Sequence, residues 1–178
     1  MDSSAVDRSD PPFAADEATT LVAFLDFQRA TLRWKCAGLG AEQLATPLPP
    51  STITLGGLLK HLAVVEAGWL NLTFAGGVAR PGWLDQVDDA DPSWSFTTAA
   101  DDTPEQLVAW FEESVEVSDR VVAAALVTPE GLGSLAVGDA DGEHPSLRWI
   151  LCHLIEEYAR HNGHADLIRE SIDGLTGE

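Results

Sequence analysis

In the stretch HLIEEYARHNGH, residues 153–164, His153, Glu157 and His161 recur at every fourth position, and His164 follows three residues later. A helix turns by about 100° per residue, so these four side chains share an arc of about 80°. The apolar Ile150, Leu154, Ile168 and Ile172 lie on or beside that arc. The polar row therefore borders the buried stripe, and a merely solvated face is the weaker reading. Solvent is assigned instead to the opposite side, with Ala159 and Asn162. A carboxylate desolvated beside imidazoles costs several kcal/mol unless something compensates it, and a cation is the simplest compensation. Glu157 and His161, at i and i+4, either form an ordinary helix ion pair or converge on one metal ion. On the residues alone both readings stay open.

A metal would need a third ligand from another helix. His61 is the obvious choice, because it sits on an apolar helical stripe. Its plainer reading is a satisfied core histidine. His153 and His164 suit holding a ligand in place by hydrogen bonding, or proton transfer, better than ligation, since three protein ligands suffice for a catalytic site. A di-iron centre would need two Glu-x-x-His pairs and two further carboxylates, whereas this chain has one Glu-x-x-x-His pair. His144 reads as exposed, and Arg160 as a solvated cation flanking the polar arc. Cys36 and Cys152 read as small buried hydrophobes. Trp83 and Trp94 either close a pocket or pack against the helices.

The elements that must bring these groups together follow from caps and apolar spacing. Asp16 N-caps a first helix running to about Ala37, with Leu21, Phe24, Leu25 and Leu32 at helical spacing. GLGAEQLATPLPPS breaks it. A second helix runs from about Thr54 to Phe74, its apolar stripe shared by Leu58, His61, Leu62, Val65, Trp69 and Leu72, and Gly76-Gly77 marks its exit. Residues 76–102 are too long for a simple turn and read as a crossover or lid. Thr103, Pro104 and Gln106 form a capping box for a third helix through about Leu126. The fourth begins near Pro145 or Ser146 and ends at about Asp173, with Gly174 just beyond. Four long amphipathic helices, no period-2 run and two long connections predict an all-α four-helix bundle with long crossover connections. Residues 1–13 read as a disordered tail, and 14–178 as one domain.

The chain has 178 residues, enough for one domain to bury its core without staples. Its 29 acidic against 10 basic residues give a net charge of −19, which opposes approach to nucleic acid or an anionic membrane. Two cysteines outside any zinc-ribbon or CxxC spacing argue against a disulfide framework and fit a reducing compartment. No signal peptide or membrane span is recognised, so a cytoplasmic protein is expected. The Ala, Gly, Asp and Val content with only two lysines, Lys35 and Lys60, points to a GC-rich coding genome.

Two phrases, STITLGGLLKHLAVVEAGW and SLRWILCHLIEEYARHNGHADLIRESIDG, resemble the DinB-like superfamily of metal-binding four-helix bundles. More narrowly, they are similar to its actinobacterial branch of mycothiol-dependent enzymes, which includes maleylpyruvate isomerases and mycothiol S-transferases. The resemblance runs from about residue 16 to 175. It implies that His61, Glu157 and His161 hold a divalent metal, most readily zinc, with nickel or iron as other choices. It further implies mycothiol as a thiol cosubstrate. No additional domain of the kind maleylpyruvate isomerases append is recognised after the bundle, so isomerisation is not expected.

The resulting expectation is a metal-dependent thiol S-transferase acting on a small-molecule thiol and an electrophile, with no nucleic-acid or membrane partner. Two rivals are a zinc-dependent hydrolase using metal-bound water and a non-catalytic, stress-related metal-binding bundle. The ligand set also matches the facial triad of iron oxygenases. An exposed apolar helix face would support a homodimer.

Overall fold

A computed structural model of the chain describes residues 8–177. Part of the expected tail, residues 1–7, lies outside the described residues; from there on, the Arg8 guanidinium sits 4.8 Å over the Phe27 ring and 4.7 Å over that of Trp34. The helices are α1 (Glu17–Cys36), α2 (Ala41–Leu44), α3 (Leu55–Glu66) prolonged by a π-helix (Ala67–Phe74), α4 (Trp94–Thr97), α5 (Pro104–Leu126) and α6 (Leu147–Asp173). Among the described residues there is no strand, only isolated bridges at Leu135–Ser146 and Ala140–Glu143. The fold is the all-α bundle with long crossovers that the periodicity predicts. No helix of the described residues is long and apolar enough to cross a membrane.

The helix starts obey local chemistry. The Asp16 carboxylate accepts from Thr19 N, the Thr54 hydroxyl from Gly57 N and the Ser146 hydroxyl from Trp149 N, each satisfying a backbone donor that the first helical turn leaves unpaired. Thr103 and Gln106 form the reciprocal capping box. Gly174 ends α6 with φ +80°, a left-handed conformation that suits glycine.

The continuous α-helix expected over 54–74 differs in its second half. After Glu66 the turns widen, and Ala75 N donates to Leu70 O and Gly77 N to Asn71 O. Val137 N donates to Phe74 O and Gly138 N to Thr73 O, so a loop far along the chain takes up carbonyls that the last turn of this helix leaves open. Gly138 can come so close because a Cβ there would stand 3.1 Å from Thr73 O.

Helix α1 packs along α6, α3 along α5, and α3 also meets α6. Leu58, Leu62, Phe111, Ile150, Leu154 and Tyr158 are fully buried between them. A polar tie crosses this core. The Glu66 carboxylate accepts from the Arg29 guanidinium and, at 2.8 Å, from the Tyr158 hydroxyl, joining α1, α3 and α6. Arg29 also reaches Asp26 and Asp119, both at 2.8 Å. Burial opposes the Arg29 charge, but Glu66, Tyr158 and Asp119 together more than compensate and its pKa is raised; burial and then Glu66 push the Tyr158 phenol well up. At the far end of α1, Arg169 donates to Lys35 O and Ala37 O, satisfying carbonyls the helix leaves open.

Four residues lie on a face other than the one expected. Asn162 is buried, because α1 covers it and the Gln28 carbonyl and side chain accept from its amide. Cys152 is exposed, unlike the buried Cys36. Phe24, placed on the apolar stripe of α1, and Leu72, placed on that of the helix over 54–74, are also exposed. Trp83 packs against the bundle, stacked 5.3 Å from Trp110.

Candidate metal centre

The α3 stripe carries His61 to the line where α3 meets α6, and one helical turn of α6 presents Glu157 and His161 to the same line. One ligand atom from each of His61, Glu157 and His161 can be chosen so that all lie within 4.8 Å of one another. His161 Nε2 is 3.4 Å from Glu157 Oε2, and the two imidazoles meet edge to face with centroids 4.8 Å apart. His161 is only 8% exposed.

Burial sets the protonation of this group. It depresses the His61 pKa to about 4, with the neighbouring His161 adding to the effect. The His161 pKa is also lowered, chiefly by burial, with Glu157 opposing and His164 reinforcing the shift. At neutral pH both rings are therefore uncharged, the form whose nitrogen lone pair can bind a metal. The buried His161 Nδ1 has no hydrogen-bond partner. Two neutral imidazoles and a carboxylate that converge make a donor set that fits a divalent cation.

His153 lies one turn before Glu157, stacked 5.1 Å from Trp149 and edge-on to Trp69 at 4.8 Å. Its ligand atoms fall within 4.8 Å of Glu156 and Glu157, so it borders the first group through Glu157. The His164 ring stands 5.5 Å from that of His161, and its Nδ1 is buried without a partner. Neither His153 nor His164 joins the cluster around His61. Arg160 is solvated and paired with Glu156 at 2.7 Å, and His144 is exposed.

Two contacts on His61 escape any reading of spacing. Phe96 stacks on its ring at 4.6 Å, and Ser95 Oγ lies 3.5 Å from its Nδ1. Both belong to the crossover, where no periodicity marks them. The aromatic pair Trp69 and Trp149, 5.2 Å apart beside His153, is equally silent in sequence. An apolar crevice of about 330 Å³ lies elsewhere, lined by Cys36, Leu44, Leu59, Val108 and Phe111 under the Arg33–Glu112 ion pair, and touches none of the three converging residues.

A family model described as mycothiol-S-transferase matches residues 20–174. A solved structure, described as the crystal structure of the conserved protein of locus from Enterococcus faecalis, is similar with a TM-score of 0.69 and 15% identity, over 91% of this chain and 100% of that one. At that identity the likeness is one of fold. No curated protein matches the chain.

Proposed function

The chain belongs to the mycothiol-S-transferase family, and from that membership we propose that it transfers a low-molecular-weight thiol such as mycothiol to an electrophilic small molecule, at a divalent metal held by His61, Glu157 and His161. The observation that carries the proposal is the convergence of these three side chains, from α3 and α6, in a largely buried place. When bound, a divalent cation, zinc foremost and nickel or iron as other choices, supplies the Lewis acidity that holds a coordinating thiol deprotonated at neutral pH.

The protein's own groups do the rest. His61 and His161 offer neutral nitrogens, and Glu157 offers the negative charge that makes the set favour a dication. His153 is partly exposed and adjoins Glu157, so its imidazole can take the thiol proton and pass it to water. The sulfur then attacks the electrophilic carbon, forming a C–S bond. In a substitution the leaving group departs with the bonding electrons; in an addition the carbanion formed takes up a proton from water, relayed by His153. The Trp69–Trp149 pair beside His153 shields one side of that position from water.

A purely structural metal would call for a fourth protein ligand, and neither His153 nor His164 stands in the His61 cluster, which favours a reactive over a structural site. Metal analysis of the purified protein should find about one zinc per chain, and Glu157→Gln should lose most of it. Thiol conjugation should vanish with a chelator and return with zinc. Full metal retention in the Glu157→Gln protein would refute the site. Ester or amide turnover without added thiol would favour the hydrolase reading.

A further inference from the structure

The crossover between α3 and α5 does more than connect them. α4 is a single turn, too short to be stable alone, yet it delivers Ser95 and Phe96 to the His61 ring. What holds α4 in place comes from α3 itself. Lys60, the neighbour of His61 in sequence, is 2% exposed. Its ammonium donates to Thr98 Oγ1 at 2.7 Å and to Asp102 Oδ2 at 2.5 Å. The same Nζ sits 4.0 Å over the Trp94 ring and 5.3 Å over that of Trp110. Thr98 Oγ1 in turn donates to Trp94 O, closing the end of α4. One turn before His61, Gly57 provides the room: a Cβ there would stand 3.1 Å from Phe96 Cδ1.

Positions 57, 60 and 61 of α3 thus supply the clearance, the clamp and the side chain being held. Burying an ammonium is costly unless it is paired and hydrogen-bonded, and every contact that compensates Lys60 comes from residues on or just around α4 and from Trp110. Ser95 is itself buried and faces His61 Nδ1 at 3.5 Å, the outer limit of a hydrogen bond, while Phe96 fixes the ring plane.

We propose that Ser95 and the Lys60–Asp102 clamp are positioning residues for His61: Ser95 Oγ accepts Nδ1–H, which leaves the Nε2 lone pair free toward Glu157 and His161. This deepens the metal-site reading and rests on it for its consequence, although the tautomer itself is a property of the metal-free protein. None of the three belongs to the converging set of His61, Glu157 and His161. They act by selecting one tautomer and one orientation of a ligand, as outer hydrogen-bond partners do in metal sites.

The test uses the full chain in three forms: wild type, Ser95→Ala and Lys60→Met, with Ser95→Thr as the conservative rescue. In metal-free protein, nitrogen NMR of the histidine rings reads the tautomer. Wild type and Ser95→Thr should show His61 as the Nδ1–H form, and Ser95→Ala should lose that single signature. Zinc affinity should fall about 10- to 100-fold in Ser95→Ala and in Lys60→Met, and Ser95→Thr should restore most of it. Helicity by circular dichroism guards against an unfolded Lys60→Met, in which case Ser95→Ala decides alone. An unchanged tautomer with wild-type zinc affinity in Ser95→Ala would overturn the proposal and leave the three-residue site standing. If wild type bound no zinc, the metal reading would fail, while the tautomer measurement would still decide the role of Ser95.

Discussion

His61 and His161 are held neutral by the same burial that brings them together, and this has a price in acid. An unfolded chain protonates His61 near 6.5, whereas the folded, metal-free protein resists until about 4. Between those values the unfolded state binds more protons, so stability falls as pH drops through that window and is intact above it. Urea midpoints for metal-free protein should be lower at about pH 5 than at about pH 7. The difference should shrink in His61→Gln, and an equal difference in that variant would remove His61 as its source. Glu157 and His161 were legible as a pair because i, i+4 spacing is a local property of a helix. Ser95 and Phe96 were not, because their contact with His61 spans more than 30 residues and obeys no period.

Each long helix is set by its own ends and tied to its neighbours by a few buried polar groups. The caps at Asp16 and Thr103, the starts near Thr54 and Ser146 and the exit at Gly174 were readable, since each depends on residues within one turn. The π-helix after Glu66 was not: its apolar stripe reads like that of an α-helix, and Val137 and Gly138, which take up carbonyls at its end, lie far along the chain. Asn162 misled for a similar reason: only the presence of Gln28 on α1 makes its face an interior one. The Arg29–Glu66 tie allows a quantitative test. Arg29→Met should destabilise the fold by about 3–5 kcal/mol, because it strands a buried carboxylate. Arg29→Met combined with Glu66→Leu should recover part of that loss. Denaturant midpoints would read both, and a double variant no more stable than the single would deny that the stranded charge is the cause.

The whole molecule combines a bundle core with a surface of strong negative charge, −19 in net terms. That field draws cations and repels polyanions at long range, more weakly as salt rises. Because the three donor groups come from distant parts of the chain, only the folded state can assemble them, and metal should stabilise it by mass action. Free zinc a thousandfold above its dissociation constant would add about 4 kcal/mol. For a chain of this size that is a rise in Tm on the order of 10 °C, reversed by chelator. A Tm indifferent to zinc would count against binding to the native state.

The sequence by itself determined roughly where the four long helices begin and end, most of the apolar stripe of each, and that an acid and an imidazole share one face of α6. Those are decided within a few residues by backbone hydrogen bonding and helical geometry. Only the tertiary structure decided that His61 meets that face, that a one-turn helix from the crossover rests on its ring, and that Glu66, Lys60 and Asn162 lie inside. Such contacts depend on how separate helices pack, and packing answers to the shape and charge of the partner surface, which no local pattern contains.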